Sequence, residues 1–291
     1  MTKLLIGTDP EFFLRDSDGN FVSAHDKLPG TKDAPYKVKH GAVQVDGLAC
    51  EFNIDPASSG EEFEHNTHAV LGQLRKMIPK KYGFNFNPTV DIPKKLFESL
   101  PDNCKELGCD PDLNIYLKGF NKIPKNVPMR TGSGHIHFGW TNGEDVADES
   151  HRRDCAYLVQ ALDFTVERVR FAWDNDTKRQ TMYGSRGSYR PKPYGCEYRV
   201  LSNAWLKYPN MWPWLFNFCQ DVFNYVLEDR GHGGYPMLFP SDYGISSVGP
   251  VANETARRKL WQIMVGVADY NKGEFIYTLP PKNMFEKKLE M

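Results

Sequence analysis

The amino-acid sequence predicts a single α+β domain, and three observations carry that prediction. Two Asp-Gly dipeptides, Asp18-Gly19 and Asp46-Gly47, each separate apolar runs near the N-terminus, a pattern of β-hairpins whose turn residues take positive φ. Two later stretches repeat apolar residues at helical spacing: Phe63, Val70, Leu74 and Met77 in one, Leu158, Leu162, Val166 and Val169 in the other. Neither an internal repeat nor an obvious linker divides the 291 residues, of which 40% are hydrophobic and 13% aromatic, enough to bury a sizeable core.

In chain order, residues 3 to 54 are expected as antiparallel hairpins, with "EFFLRDSDGNFVS" and "AVQVDGLACEFNI" each folding back at its Asp-Gly. A helix is expected over about 59 to 78, because Ser58 or Ser59 can cap it and Glu61 and Glu62 fall in its first turn. From 79 to 131 Pro, Asn, Gly and Asp dominate, which predicts a long loop with short strand-like pieces such as "YGFNFNPTV" and "NIYLKGF". "GSGHIHFGW" reads as a strand, followed by a long helix of about 150 to 173. The basic stretch "DNDTKRQTMYGSRGSYRPKPYG" is expected as a loop leading to the strand "CEYRVLSNAW". Two more helices are expected at about 209 to 229 and 252 to 270, then a charged, mobile tail from about 280. The aromatics of "MWPWLFNFCQDVFNYVL" read as core packing.

Charge excludes some partners. Lys and Arg number 36 against 37 Asp and Glu, a formal charge of -1, so nothing global points to nucleic acid or an acidic membrane. The apolar run Leu4, Leu5, Ile6 is too short for a signal peptide and no later window could span a bilayer, so a soluble, cytoplasmic protein is expected. Six cysteines lie scattered without a CxxC pair and read as reduced thiols; Cys104 and Cys109 are spaced too loosely for zinc. His25, His65, His68 and His151 read as surface or capping residues.

Four stretches place acidic or imidazole groups on strands otherwise built for burial. In "GTDPEFFL", Asp9 and Glu11 share a face, and two carboxylates looking at one point repel unless a cation lies between them. In "DGLACEFN", Glu51 sits among apolar neighbours and needs a partner. His135 and His137 share the polar face of their strand while Ile136 and Phe138 take the core face. Glu197 and Arg199 again share a face. Oxygen donors with one imidazole suit magnesium or manganese, and Asp9, Glu11, Glu51, His135 or His137, and Glu197 could surround two such ions. The preceding loop offers Arg186 and Arg190 for phosphate, with Arg179 read as part of a flexible basic loop. No GxxxxGK[ST] loop is present, so metals and arginines alone would hold a polyphosphate.

"GTDPEF", "DGLACEFN", "GSGHIHFGW" and "YGCEYRVLSN", in that order, resemble the phage-encoded carboxylate-amine ligases (COOH-NH2 ligase, type 2), relatives of glutamine synthetase and glutamate-cysteine ligase, over roughly residues 5 to 205. The resemblance implies a curved, mostly antiparallel sheet with flanking helices, the glutamine synthetase-like fold, whose concave face holds ATP and two or three divalent ions, Mg2+ or Mn2+. It implies that Asp9, Glu11, Glu51, His135 and Glu197 bind metal, with His135 also near the γ-phosphate. It assigns Arg199 to phosphate and Arg186 and Arg190 to the transferred phosphoryl group. Glutamine synthetases carry Glu-x-Glu where this chain has Asp9-Pro10-Glu11, and relatives carry one histidine where this chain has two, which leaves His137 for substrate and catalysis.

The implied reaction joins a carboxylate to an amine through an acyl phosphate. A free amino acid, a peptide or protein terminus and a cell-wall component all suit the acceptor sites, in a monomer or dimer, in the host cytoplasm if the chain is phage-encoded. Two other classes stay open: a metal-dependent hydrolase using the same carboxylates and imidazoles, and a non-catalytic nucleotide or peptide-binding module. Convergence of the four strands on one place separates the ligase from the binding module.

Overall fold

The computed structural model describes residues 3–101, 105, 112–117, 127–230, 282–289 and 291. Two curled antiparallel sheets carry helices on their outer sides, the α+β architecture expected. The first sheet runs in the order Leu5–Thr8, Ile136–Gly139, Gly195–Tyr198, Ser188–Lys192 and Leu113–Asn114. The second runs Phe21–Val22, Glu11–Arg15, Ala49–Ile54, Gly41–Asp46 and Tyr36–Val38, with Gly83–Asn85 also paired to Glu11–Arg15. A two-stranded ribbon joins Thr89–Asp91 to Met129–Thr131.

The sheets meet at Asp9-Pro10. Pro10 has no N–H to give a ladder, so the chain leaves the first sheet after Thr8 and enters the second at Glu11, whose N–H donates to Ser133 O (2.9 Å) while Phe52 N–H reaches Pro10 O (3.3 Å). One continuous stretch of chain therefore serves both sheets and bends the surface between them.

The helix Gly60–Met77 begins where its cap predicts: Ser59 accepts from Glu62 N–H, and the Ser58 hydroxyl and N–H both donate to Glu62 Oε2. Its buried face, Phe63, Val70, Leu71 and Leu74, packs on the second sheet. The helix expected over about 150 to 173 is instead Glu149–Phe164 followed by the short turns Val166–Val169 and Arg170–Ala172. The break falls at Thr165, whose backbone (φ -111°, ψ -79°) departs from the helical path while its N–H and hydroxyl both still donate to Ala161 O. Trp212–Arg230 packs against both helices and buries Trp212, Leu215, Phe216, Cys219 and Phe223, as core.

Other expectations change. The basic stretch read as a loop holds the helix Lys178–Met182 and the strand Ser188–Lys192, whose alternation is hard to read because its inner residues are only Tyr189 and Pro191. A helix Lys94–Ser99 interrupts the long loop. The end of the chain is not a mobile tail in its described part: Phe285 packs on Tyr208, Leu289 N–H donates to Lys207 O and Phe84 N–H to Met291 O. The helix expected at 252 to 270, Cys104 and Cys109 lie outside the described residues. Cys50, Cys155, Cys196 and Cys219 are buried free thiols. His151 is buried rather than superficial, with Nε2 2.9 Å from Lys192 O. Among the described residues no helix is long and apolar enough to cross a membrane.

Candidate functional site

Strand register builds the site. Ile136–Gly139 lies between Leu5–Thr8 and Gly195–Tyr198, with His137 opposite Glu197, and Arg190 opposite Glu197 on its other side. Ile136, Phe138, Cys196 and Tyr198 fill the core behind the sheet. A row of polar groups is therefore left on the other face, with Asp9 beside it at the bend.

The two imidazoles meet at one oxygen. His135 Nδ1 lies 3.2 Å and His137 Nε2 3.0 Å from Asp9 Oδ1, and His135 Nδ1 is also 3.3 Å from Glu197 Oε1. The glycines before them are there for close approach: a Cβ at Gly134 would stand 2.3 Å from Ser202 O, and one at Gly132 2.2 Å from Asn203 Nδ2. Burial acts to raise the Asp9 carboxyl, but His137 and His135 hold it well below the usual carboxylate range. Burial and the Arg199 charge push His135 far down, whereas for His137 burial is the largest influence but the charge and hydrogen bond of Asp9 and the charge of Glu197 together outweigh it and raise the ring.

Glu197 sits at the middle of a cationic ring. Arg199 Nη1 meets its Oε1, Lys192 Nζ is 3.0 Å from its Oε2, and Arg190 Nη1 is 3.7 Å from the same oxygen. Arg199 also pairs through Nε with Asp112 at 2.6 Å and through Nη2 with the Tyr183 hydroxyl. Even so, burial and the Asp9 charge keep Glu197 above its ordinary value.

A second acidic set adjoins the first on the other sheet. Glu11, Asp46 and Glu51 can each bring an oxygen within 4.8 Å of the others, as can one ligand atom each from Asp9, His135 and Glu197. Gln44 Nε2 donates to Glu51 at 2.8 Å. Burial, with the charges of Asp46 and Asp9, pushes Glu11 up to about 7, and burial with Asp9, Glu11 and Asp46 pushes Glu51 well above its usual range.

The structure thus brings together Asp9, Glu11, Glu51, His135, His137, Glu197, Arg190 and Arg199. It does not seat Arg186 among them: that guanidinium donates to Asp163 O (3.1 Å) and faces Glu167 (3.4 Å), and the Asp163 carboxylate is bonded to Tyr198, a core-facing residue. Arg179 is a buried structural residue, not part of a flexible loop, and donates to Val200 O at 2.6 Å. Sequence reasoning missed Asp46, Asp112, Tyr183, Lys192 and Tyr194. Asp46 reads as a turn residue in the sequence, but the turn is Gly47-Leu48, with Gly47 at φ +55, so Asp46 closes its strand opposite Ala49. Alternation from Gln44 would have placed it on the Glu51 face.

The donor chemistry fits divalent cations. Asp9 Oδ1 and Glu197 Oε2 are shielded from solvent yet make no well-aligned hydrogen bond among the described residues, and both sets offer oxygen with at most one imidazole, as Mg2+ or Mn2+ prefer.

No family model matches the chain, and no curated protein matches it. Among solved structures the chain is similar to a bifunctional glutathione synthetase from Pasteurella multocida, with 15% identity and a TM-score of 0.33, over 59% of this chain and 22% of that one. The matched part is less than a quarter of that protein's length.

Proposed function

We propose that this chain is an ATP-dependent carboxylate-amine ligase that forms an amide or peptide-like bond. The observation that carries the proposal is the convergence of four separate motifs: Asp9 and Glu11, Glu51, His135, and Glu197 form two adjoining cation-capable sets flanked by Arg190, Lys192 and Arg199. Two such sets favour metal-assisted chemistry over a binding module, and the cations beside them suit a phosphate-bearing substrate.

In this reading Asp9, His135 and Glu197 hold one Mg2+ or Mn2+, and Glu11, Asp46 and Glu51 hold another. When bound, the cations neutralise charge on the phosphoryl oxygens. The protein's own groups do the rest. Arg190 and Lys192, each about a quarter exposed, can leave Glu197 to reach phosphate oxygens. Arg199, fully buried between Glu197 and Asp112, keeps the two carboxylates in place. The γ-phosphoryl group passes from ATP to a substrate carboxylate oxygen with ADP leaving, and the amine then attacks the acyl carbon and expels inorganic phosphate and a proton, so the site works by positioning and charge stabilisation. Substrates of this class are amino acids, peptide or protein termini, or cell-wall components.

Calorimetric titration with a non-hydrolysable ATP analogue tests the reading, with Mg2+ and with chelator, on the wild type and on Glu197→Gln. Binding that needs Mg2+ and is lost in the variant supports it. Tight Mg2+ binding with no nucleotide binding under either condition would turn the assignment to a hydrolase.

A further inference from the structure

Each imidazole of the site is backed by a tyrosine hydroxyl, and the two arrangements differ. His135 turns Nδ1 toward both Asp9 and Glu197, while its Nε2 lies 3.4 Å from the Tyr183 hydroxyl. His137 turns Nε2 toward Asp9 alone, and its Nδ1 lies 2.5 Å from the Tyr194 hydroxyl. An ionised carboxylate only accepts hydrogen bonds, so the His137 nitrogen that faces Asp9 must carry the proton. In the neutral ring Nδ1 accepts from the Tyr194 hydroxyl and in the imidazolium it donates to it, and in both forms the hydroxyl fixes the ring's orientation.

Tyr194 is not a core residue, and its ring lies against the His137 imidazole with centroids 6.1 Å apart. Its residue is 40% exposed, on the turn between Ser188–Lys192 and Gly195–Tyr198. Its backbone is nevertheless tied down. Trp140 and Thr141 N–H groups donate to Tyr194 O (2.9 and 3.1 Å), and Gly143 and Glu144 N–H groups donate to Pro193 O (3.1 and 2.9 Å). The next residue, Gly195, lets the turn lie against Phe138 O, where a Cβ would stand 2.1 Å away. The segment that follows the histidine strand thus fixes the tyrosine that fixes the histidine.

We infer that Tyr194 and His137 form a positioning relay that holds the Asp9 carboxylate for its cation, with His135 the imidazole that ligates and His137 the one that orients. The inference rests on the reading of Asp9 as a cation ligand. Partners that orient a metal-binding group through a histidine N–H change metal affinity by roughly 10- to 100-fold when removed. Tyr194 therefore sets cation affinity through His137 and Asp9.

The test is Mn2+ titration of the full chain, followed by the paramagnetic resonance signal of free Mn2+, on wild type, Asp9→Asn and Tyr194→Phe. Thermal unfolding is run alongside. Asp9→Asn identifies the class of Mn2+ sites that depends on Asp9. In Tyr194→Phe that class should weaken about 10-fold or more with the melting midpoint unchanged, a pattern that a merely structural tyrosine would not give. Wild-type Mn2+ affinity in Tyr194→Phe overturns the relay and leaves the ligase reading standing. Unchanged Mn2+ binding in Asp9→Asn overturns both.

Discussion

Glu11 stands directly opposite Glu51 in adjacent antiparallel strands, two carboxylates on one half-buried face with Asp46 beside them. Like charges in that position are destabilising unless a proton or a cation intervenes, and a cation-sensitive part of the protein's pH dependence follows from this.

Glu11 is held at about 7 in the folded chain against an ordinary 4.5, and Glu51 is shifted the same way. A raised folded value means that the proton is bound more tightly in the native state. The stabilisation is full below 4.5 and is lost as pH rises through about 7. Asp9, held low by its histidines, titrates below this window. In chelator the melting midpoint should fall by several degrees between about pH 5 and about pH 8, and saturating Mg2+ should flatten the curve. Parallel curves with and without Mg2+ would remove the case for a cation at Glu11, Asp46 and Glu51.

Arg199 is the counter-charge of two buried carboxylates, Glu197 and Asp112. Arg199→Met removes the nearest counter-charge of both, leaving Glu197 to Lys192 and Arg190 and Asp112 to Arg190 at 3.7 Å. It should cost about 3 kcal/mol, the lower end of what breaking a buried pair costs. Urea unfolding in chelator measures it. Arg199→Lys keeps the charge without the fork and should fall between the two, since one ammonium cannot serve Asp112, Glu197 and Tyr183 together.

The two loop arginines should separate. Arg190 faces Glu197 and Asp112 at 3.7 Å each, whereas Arg186 is engaged with Glu167 and Asp163. Arg190→Ala should weaken binding of the ATP analogue about 10-fold or more with little change in stability. Arg186→Ala should lower the melting midpoint and leave nucleotide affinity within about twofold. Those magnitudes follow from the loss of one charge-assisted contact. The reverse pattern in calorimetry would restore Arg186 to the phosphoryl site.

Gly134 has no room for a side chain. An alanine Cβ would press on Ser202 O at 2.3 Å and Trp205 Nε1 at 2.4 Å, next to His135. Gly134→Ala should cost about 1–3 kcal/mol by overpacking and weaken Mn2+ binding by displacing His135. A variant with normal stability and normal Mn2+ affinity would show that the backbone yields without moving the histidine.

The sequence by itself determined the strand-borne part of this site. Alternation puts His135 and His137 on one face and Glu197 with Arg199, because the period of two is a local property of the backbone, but Asp9 and Glu11 part at the Pro10 bend and join different acidic sets. Helix Gly60–Met77 was equally legible, since Ser59 and Glu62 cap it with their own side chains. Tertiary structure alone decided the rest. Asp46 joins Glu11 and Glu51 only because the turn shifts to Gly47-Leu48. Thr165 ends a helix that its apolar stripe would continue. Arg186 and Arg190, four positions apart, serve different clusters because Arg190 lies in the strand opposite Glu197 whereas Arg186 precedes it. Lys192 and Tyr194 enter from a hairpin whose own residues carry little apolar pattern. Register, turn position and the direction in which a loop is pulled are set by contacts between distant segments, and no local spacing encodes them.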